Sequence, residues 1–173
     1  MSVHIIVDGY NLLRNSKISS LFYSVNVPIE RDSLIDALAI YKKIKKYTIT
    51  VVFDGNSKYS LYDERDSING IDIIFSTKKE SADGVIKRMA EKERERAIVV
   101  SSDNEVLKFA ESAGSSIISS GDFAKKIIKA HYVFYGFSEE EEESKKKSST
   151  KKKGPSKRNP KNKRKNSLKI NKL

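Results

Sequence analysis

Apolar and polar positions come in blocks along this chain, and the period changes from block to block. Compact apolar, β-branched runs at Val3–Val7, Thr48–Phe53, Ile71–Phe75, Ala97–Val100 and Ser115–Ile118 predict five strands. Between them, apolar residues recur every three or four positions, the period of a helix with one buried face. In Ile29–Tyr47 the recurring residues are Leu34, Ile35, Leu38, Ile40, Tyr41 and Ile44. Pro28 stands just before them, where its fixed φ suits a helix entry. Ser81–Arg96 carries Val85, Ile86, Met89 and Ala90 on one side and many charges on the other. Asn104–Ala113 reads as a further helix stopped at Gly114, and Asp122–Ala130 as a closing one. Residues 56–69 are polar and predict a loop, while His131–Phe137 is aromatic and β-prone with no clear place.

Strands alternating with helices predict an α/β fold, a mostly parallel sheet of about five strands with helices on both faces. Right-handed crossovers limit the topology. With the first strand central, flanked by the second and the fourth, Asp8, Asp54 and Asp103 arrive at one sheet edge. Asp83 opens the helix that starts near Ser81, and its dipole end would face the same edge.

That edge changes the picture, because ligands of open parallel sheets bind beyond the carboxyl ends of the strands. Carboxylates gathered there repel one another and require a cation, and Mg²⁺ or Mn²⁺ prefers oxygen ligands. The crowding also predicts at least one carboxyl with a raised pKa. Each acid has a plain alternative. Asp8-Gly9 and Asp54-Gly55 suit turns, Asp103 suits a helix N-cap, and Asp83 suits a first helical turn. Four such acids at one edge favour a shared function, a metal-dependent enzyme acting on phosphate.

Composition removes several other chemistries. The 173 residues hold one ordinary domain and no cysteine, so there is neither a disulfide framework nor a Cys nucleophile. His4 reads as core or edge packing and His131 is isolated, which makes no zinc site. No glycine-rich dinucleotide or P-loop pattern follows a strand. A haloacid-type phosphatase would need an acid where Tyr10 stands. No apolar run reaches the roughly 18 residues of a membrane span. The strand pattern begins at Val3, leaving no room for a leader, so a cytoplasmic protein is expected. The charges of Glu91–Arg96 and of Lys42, Lys43, Lys45 and Lys46 read as solvated faces, the latter within reach of phosphates.

Charge divides the chain in two. Residues 144–173 hold 14 of the 34 basic residues and no acid; the remaining 20 face all 23 acidic residues, a balance of −3. The expected organisation is a domain over 1–137 and a disordered tail over 138–173, acidic at Glu139–Glu143 and basic beyond. Leu168, Ile170 and Leu173 are too sparse to order it. A polycation of this kind suits RNA, through Lys145, Lys146, Lys147, Lys151, Lys152, Lys153, Arg158 and Arg164.

The strings HIIVDGYNLL, TVVFDG, GIDIIFSTKKESADGVIKRMA, AIVVSSDNEV and GSSIISSGDF, in that order, resemble the YacP-like NYN domain proteins of the PIN-like nuclease superfamily. The resemblance spans about residues 2–130. It implies a PIN-like, Rossmann-like fold and a metal-dependent endoribonuclease, acting on messenger RNA at the ribosome and needing no small-molecule cofactor. By position, Asp8 and Asn11 match the family's first-strand acid and its companion. Asp83 in SAD and Asp103 in SSD match two later motif acids, and Asp54 a less uniform one. Ser81 and Ser101 replace threonine and keep the hydroxyl.

The implied roles follow. Asp8, Asp83 and Asp103 hold one or two Mg²⁺ or Mn²⁺ ions, directly or through water. Asp54 tunes the site or orients the attacking water, and Asn11, Ser81 and Ser102 fix the carboxylates. Asp8→Asn and Asp103→Asn should then abolish cleavage with folding intact or slightly improved. A chain ending near Phe137 should keep its melting temperature. The rival reading is a non-catalytic RNA- or ribosome-binding protein that relies on its basic tail.

Overall fold

The computed structural model describes residues 3–15, 18, 27–55, 64–136 and 169–173. Six strands form one sheet: β1 (His4–Asp8), β2 (Thr48–Phe53), β3 (Glu64–Ile68), β4 (Ile71–Phe75), β5 (Ala97–Ser101) and β6 (Ser116–Ser119). The helices are α1 (Gly9–Leu13), α2 (Val27–Lys45), α3 (Ala82–Glu93), α4 (Asn104–Ser112) and α5 (Ser120–Phe134). The strand order is β3-β4-β2-β1-β5-β6, parallel throughout except that β3 runs against β4.

β1 is central, pairing with β2 on one side and β5 on the other, with Val7 opposite both Val51 and Val100. These three strands are nearly continuous apolar runs because helices cover both faces of the sheet. Alternation divides their side chains between two layers. Ile5, Val7, Ile49, Val51, Ile98 and Val100 pack toward Leu12, Leu34, Leu38, Phe123 and Ile127 of α1, α2 and α5. Ile6, Val52, Ile74 and Val99 pack toward Val85, Ile86, Ala90, Val106 and Ala110 of α3 and α4. Among the described residues, no helix is long and apolar enough to cross a membrane.

The structure departs from the sequence expectations in four places. Within the predicted loop 56–69, residues 64–68 form β3, a sixth strand. It is joined to β4 by Asn69-Gly70, both with positive φ (54° and 78°). That pair is the two-residue hairpin turn that asparagine and glycine favour. The aromatic stretch at 131–134 continues α5 as helix. Glu93 is half-buried, 3.9 Å from His4 Nδ1 and 3.5 Å from Arg96 Nε, so the charges of 91–96 are not all solvated.

Finally, residues 169–172 form a helical turn, and Leu173 is buried in the core. Tyr41 donates its hydroxyl to the Leu173 carbonyl at 2.7 Å, and Lys45 and Tyr47 donate to the Lys172 carbonyl. Ile170 packs beside them. Ile170 and Leu173 therefore do seat this end of the chain, because the core takes their side chains while Tyr41, Lys45 and Tyr47 donate to its last two carbonyls.

Candidate functional site

Asp8 ends β1 and caps α1. Its carboxylate is 6% exposed and fully engaged. The Asn11 backbone N–H donates to Oδ1 at 3.0 Å, while Asn11 Nδ2 and Ser101 Oγ donate to Oδ2 at 2.6 and 3.0 Å. Ser101 also receives the Asp103 backbone N–H at 3.0 Å, which ties the end of β5 to the end of β1. The buried hydroxyl that holds Asp8 is thus Ser101, whereas Ser102 is exposed. One position along a strand reverses the face.

The other acids arrive from separate elements. Asp103 caps α4, accepting the Glu105 and Val106 backbone N–H groups at 2.6 and 3.3 Å. Asp83 sits in the first turn of α3, which Ser81 caps through the Gly84 N–H at 3.2 Å. Asp54, exposed beyond β2, accepts the Ala82 N–H at 2.9 Å and the Ser76 hydroxyl at 3.0 Å. Asp54 thereby fixes the entry of the helix that carries Asp83. Gly55 is required beside it, because a Cβ there would lie 2.0 Å from the Ser76 carbonyl oxygen. At Gly9 the obstacle is a side chain, the Cβ position lying 2.3 Å from the buried Phe53 ring.

The acids share one electrostatic field. Partial burial pushes the Asp83 carboxyl above its ordinary value, and the charges of Asp8, Asp103 and Asp54 push it further. The crowding expected from the sequence is therefore felt at Asp83. The opposing cation is Lys87, one helical turn beyond. Lys87 pairs with Glu105 of α4, lies 5.8 Å above the Phe109 ring, and has its own pKa raised, first by the bond to Glu105. Lys87, Glu105 and Ser76 were not singled out from the sequence, and Ser101 was noted only as keeping a motif hydroxyl, with no contact to Asp8 assigned to it. A lysine four residues after Asp83 on the same helix face was the available signal.

The donor set suits a hard dication, since it is all carboxylate and Lys87 is, among the described residues, the one cation felt at Asp83. Among the described residues, however, no three Asp, Glu or His side chains are grouped tightly enough to hold one ion directly. An ion at this edge would therefore have to be held partly through water. Lys145, Lys146, Lys147, Lys151, Lys152, Lys153, Arg158 and Arg164 lie outside the described residues.

Comparison with known proteins adds four findings. A family model for the YacP-like NYN domain matches residues 5–169. No curated protein matches the chain. The crystal structure of Rae1 (YacP) from Bacillus subtilis is similar in fold, with a TM-score of 0.59 at 22% identity over 79% of each chain. A tryptophan-to-leucine mutant of that protein gives a TM-score of 0.60 at 18% identity, over 98% of this chain and 91% of the other.

Proposed function

Because this chain belongs to the YacP-like NYN domain family, a family of nucleases, we propose that it is a metal-dependent endoribonuclease of the cytoplasm. The observation that carries this reading is the gathering of Asp8, Asp83 and Asp103, from the ends of β1, α3 and α4, at one sheet edge, close enough that their charges add to burial in raising the Asp83 carboxyl. Such mutual repulsion costs stability in the empty site and is relieved when a dication enters.

Asp8, Asp83 and Asp103 would hold Mg²⁺ or Mn²⁺, at least partly through water. The ion would activate a water and neutralise charge on the scissile phosphate. The protein supplies placement. Asn11 and Ser101 lock Asp8 into one orientation. Ser81 and Asp54 fix the start of α3, and with it Asp83. Asp54, the most exposed of the four, would orient the attacking water. Asn11→Ala should lower activity about 10–100-fold through the loosened Asp8. The basic residues from Lys145 to Arg164 would add affinity for RNA, with messenger RNA on the ribosome as the setting.

The test is cleavage of single-stranded RNA with Mg²⁺ or Mn²⁺, alongside calorimetric Mn²⁺ binding. Asp83→Asn and Asp103→Asn should lose both. Asparagine caps a helix nearly as well as aspartate, so Asp103→Asn should fold normally. Cleavage at the parent rate by both variants would overturn the assignment. RNA binding without any metal-dependent cleavage by the parent would favour the non-catalytic reading.

A further inference from the structure

We propose that the face formed by the C-terminal ends of α2 and α5 is a second RNA-binding surface, specific for single strands and remote from the acids. Two properties coincide there. The first is exposed aromatic area. Tyr132, Phe134 and Tyr135 are 45%, 45% and 56% exposed at the end of α5. Phe134 and Tyr135 meet edge to face at 5.3 Å, and Lys43 of α2 lies 5.8 Å over the Phe134 ring.

The second property is clustered positive charge, which Asp122 offsets only in part. Lys45 of α2 and Lys126 and Lys129 of α5 share this side of the sheet. The Lys126 ammonium is held below its ordinary value by burial first, then by repulsion from Lys45 and Lys129. An arriving anion relieves that repulsion. Phosphates answer the lysines, and unpaired bases answer the rings, since stacking on aromatic side chains needs an open base face. A duplex keeps its base faces covered, so a single strand satisfies both halves of the surface.

The fold sets the distance. α5 begins at Ser120, directly after β6 and at the sheet edge that carries the acids. Tyr132 lies twelve residues further on, about 18 Å along the axis. A strand touching both places would be held away from the cutting edge as well as at it. The proposal takes RNA as its ligand from the nuclease reading. Its test reads binding in EDTA, without cleavage, so the two can fail separately.

The full chain is irradiated with a short oligouridylate containing 4-thiouridine, and adducts are mapped by mass spectrometry. Adducts are expected on the peptide carrying Tyr132–Tyr135. Lys126→Glu with Lys129→Glu should weaken binding of the same oligonucleotide on the order of tenfold and flatten its salt dependence. Phe134→Ala with Tyr135→Ala should weaken it on the order of tenfold with the salt dependence kept. Thermal melting checks the fold of each. Should the aromatic pair fail to fold, Lys126→Gln with Lys129→Gln carries the test. Adducts confined to Lys145–Lys165, with affinity unchanged in the variants, would overturn the proposal. So would unchanged RNA affinity together with lost binding to phosphatidylglycerol vesicles, which would make the face a lipid contact.

Discussion

Asp8 and Asp83 belong to one acidic edge, yet they should respond in opposite ways to losing their charge. Asp8 accepts three hydrogen bonds in a buried position. An asparagine there turns an amide donor toward groups that are themselves donors, at a cost of about 1–3 kcal/mol. Asp8→Asn should therefore melt below the parent, and its activity cannot be read without that correction. This revises the expectation that the substitution spares folding. Asp83 holds its proton to a higher pH than it would in the unfolded chain. Its contribution to stability is complete below the ordinary carboxylate value and is lost as pH rises through the raised one. Asp83→Asn should then raise the melting temperature of the metal-free protein at neutral pH. The gain should vanish below about pH 4, where both forms are uncharged. Equal melting at both pH values would contradict the shared field. Gly55→Ala should cost roughly 2–4 kcal/mol by thermal melting, since the obstacle is backbone and cannot swing aside. The four acids were legible because each ends an apolar run or opens a helical one. Ser76 was not, since a serine carries no period. Ser101 was visible only as a motif hydroxyl, and the choice between it and Ser102 as the partner of Asp8 turns on where one strand ends.

The elements themselves were legible wherever burial imposed a period. β3 escaped because it is an edge strand, exposed from Arg65 to Ile68. Charged edge strands resist pairing with other molecules and leave no apolar alternation to read. The local signal was Asn69-Gly70, which α2 also holds: Asn69 donates to Asp36 at 2.8 Å, and Lys42 to the Gly70 carbonyl. Gly70→Ala, forced to a φ of +78°, should cost about 1 kcal/mol by thermal melting. Residues 169–173 were missed for a different reason. Their partners, Tyr41, Lys45 and Tyr47, stand more than a hundred positions earlier, and no local pattern encodes so distant a seat. A chain ending at Phe137 loses Leu173 from the core and leaves the Tyr41 hydroxyl without its acceptor. Its melting temperature should fall by roughly 5 °C, contrary to the expectation drawn from sequence. An unchanged value would mean the docked end contributes nothing.

At the scale of the whole molecule, charge and topology were the legible quantities. The basic excess beyond Ser144 can be tested with residues 169–173 left in place. Replacing Lys145–Lys147 and Lys151–Lys153 by glutamine should keep the melting temperature. It should lower the slope of log affinity for single-stranded RNA against log salt by up to about 4. An unchanged slope would make those lysines bystanders. The central position of β1 followed from handedness and from the need to gather the acids, and it has a kinetic side. β1 precedes the other five described strands along the chain. Its register partners begin at Thr48 on one side and only at Ala97 on the other. Contacts so far apart in sequence form slowly. On a growing chain β1 gains one neighbour early and keeps a bare, sticky edge until β5 has emerged. The aspartates assemble in the same sequence, Asp8 with Asp54 first and Asp103 last. A ribosome making this protein therefore meets a finished acidic edge only once Asp103 has left it.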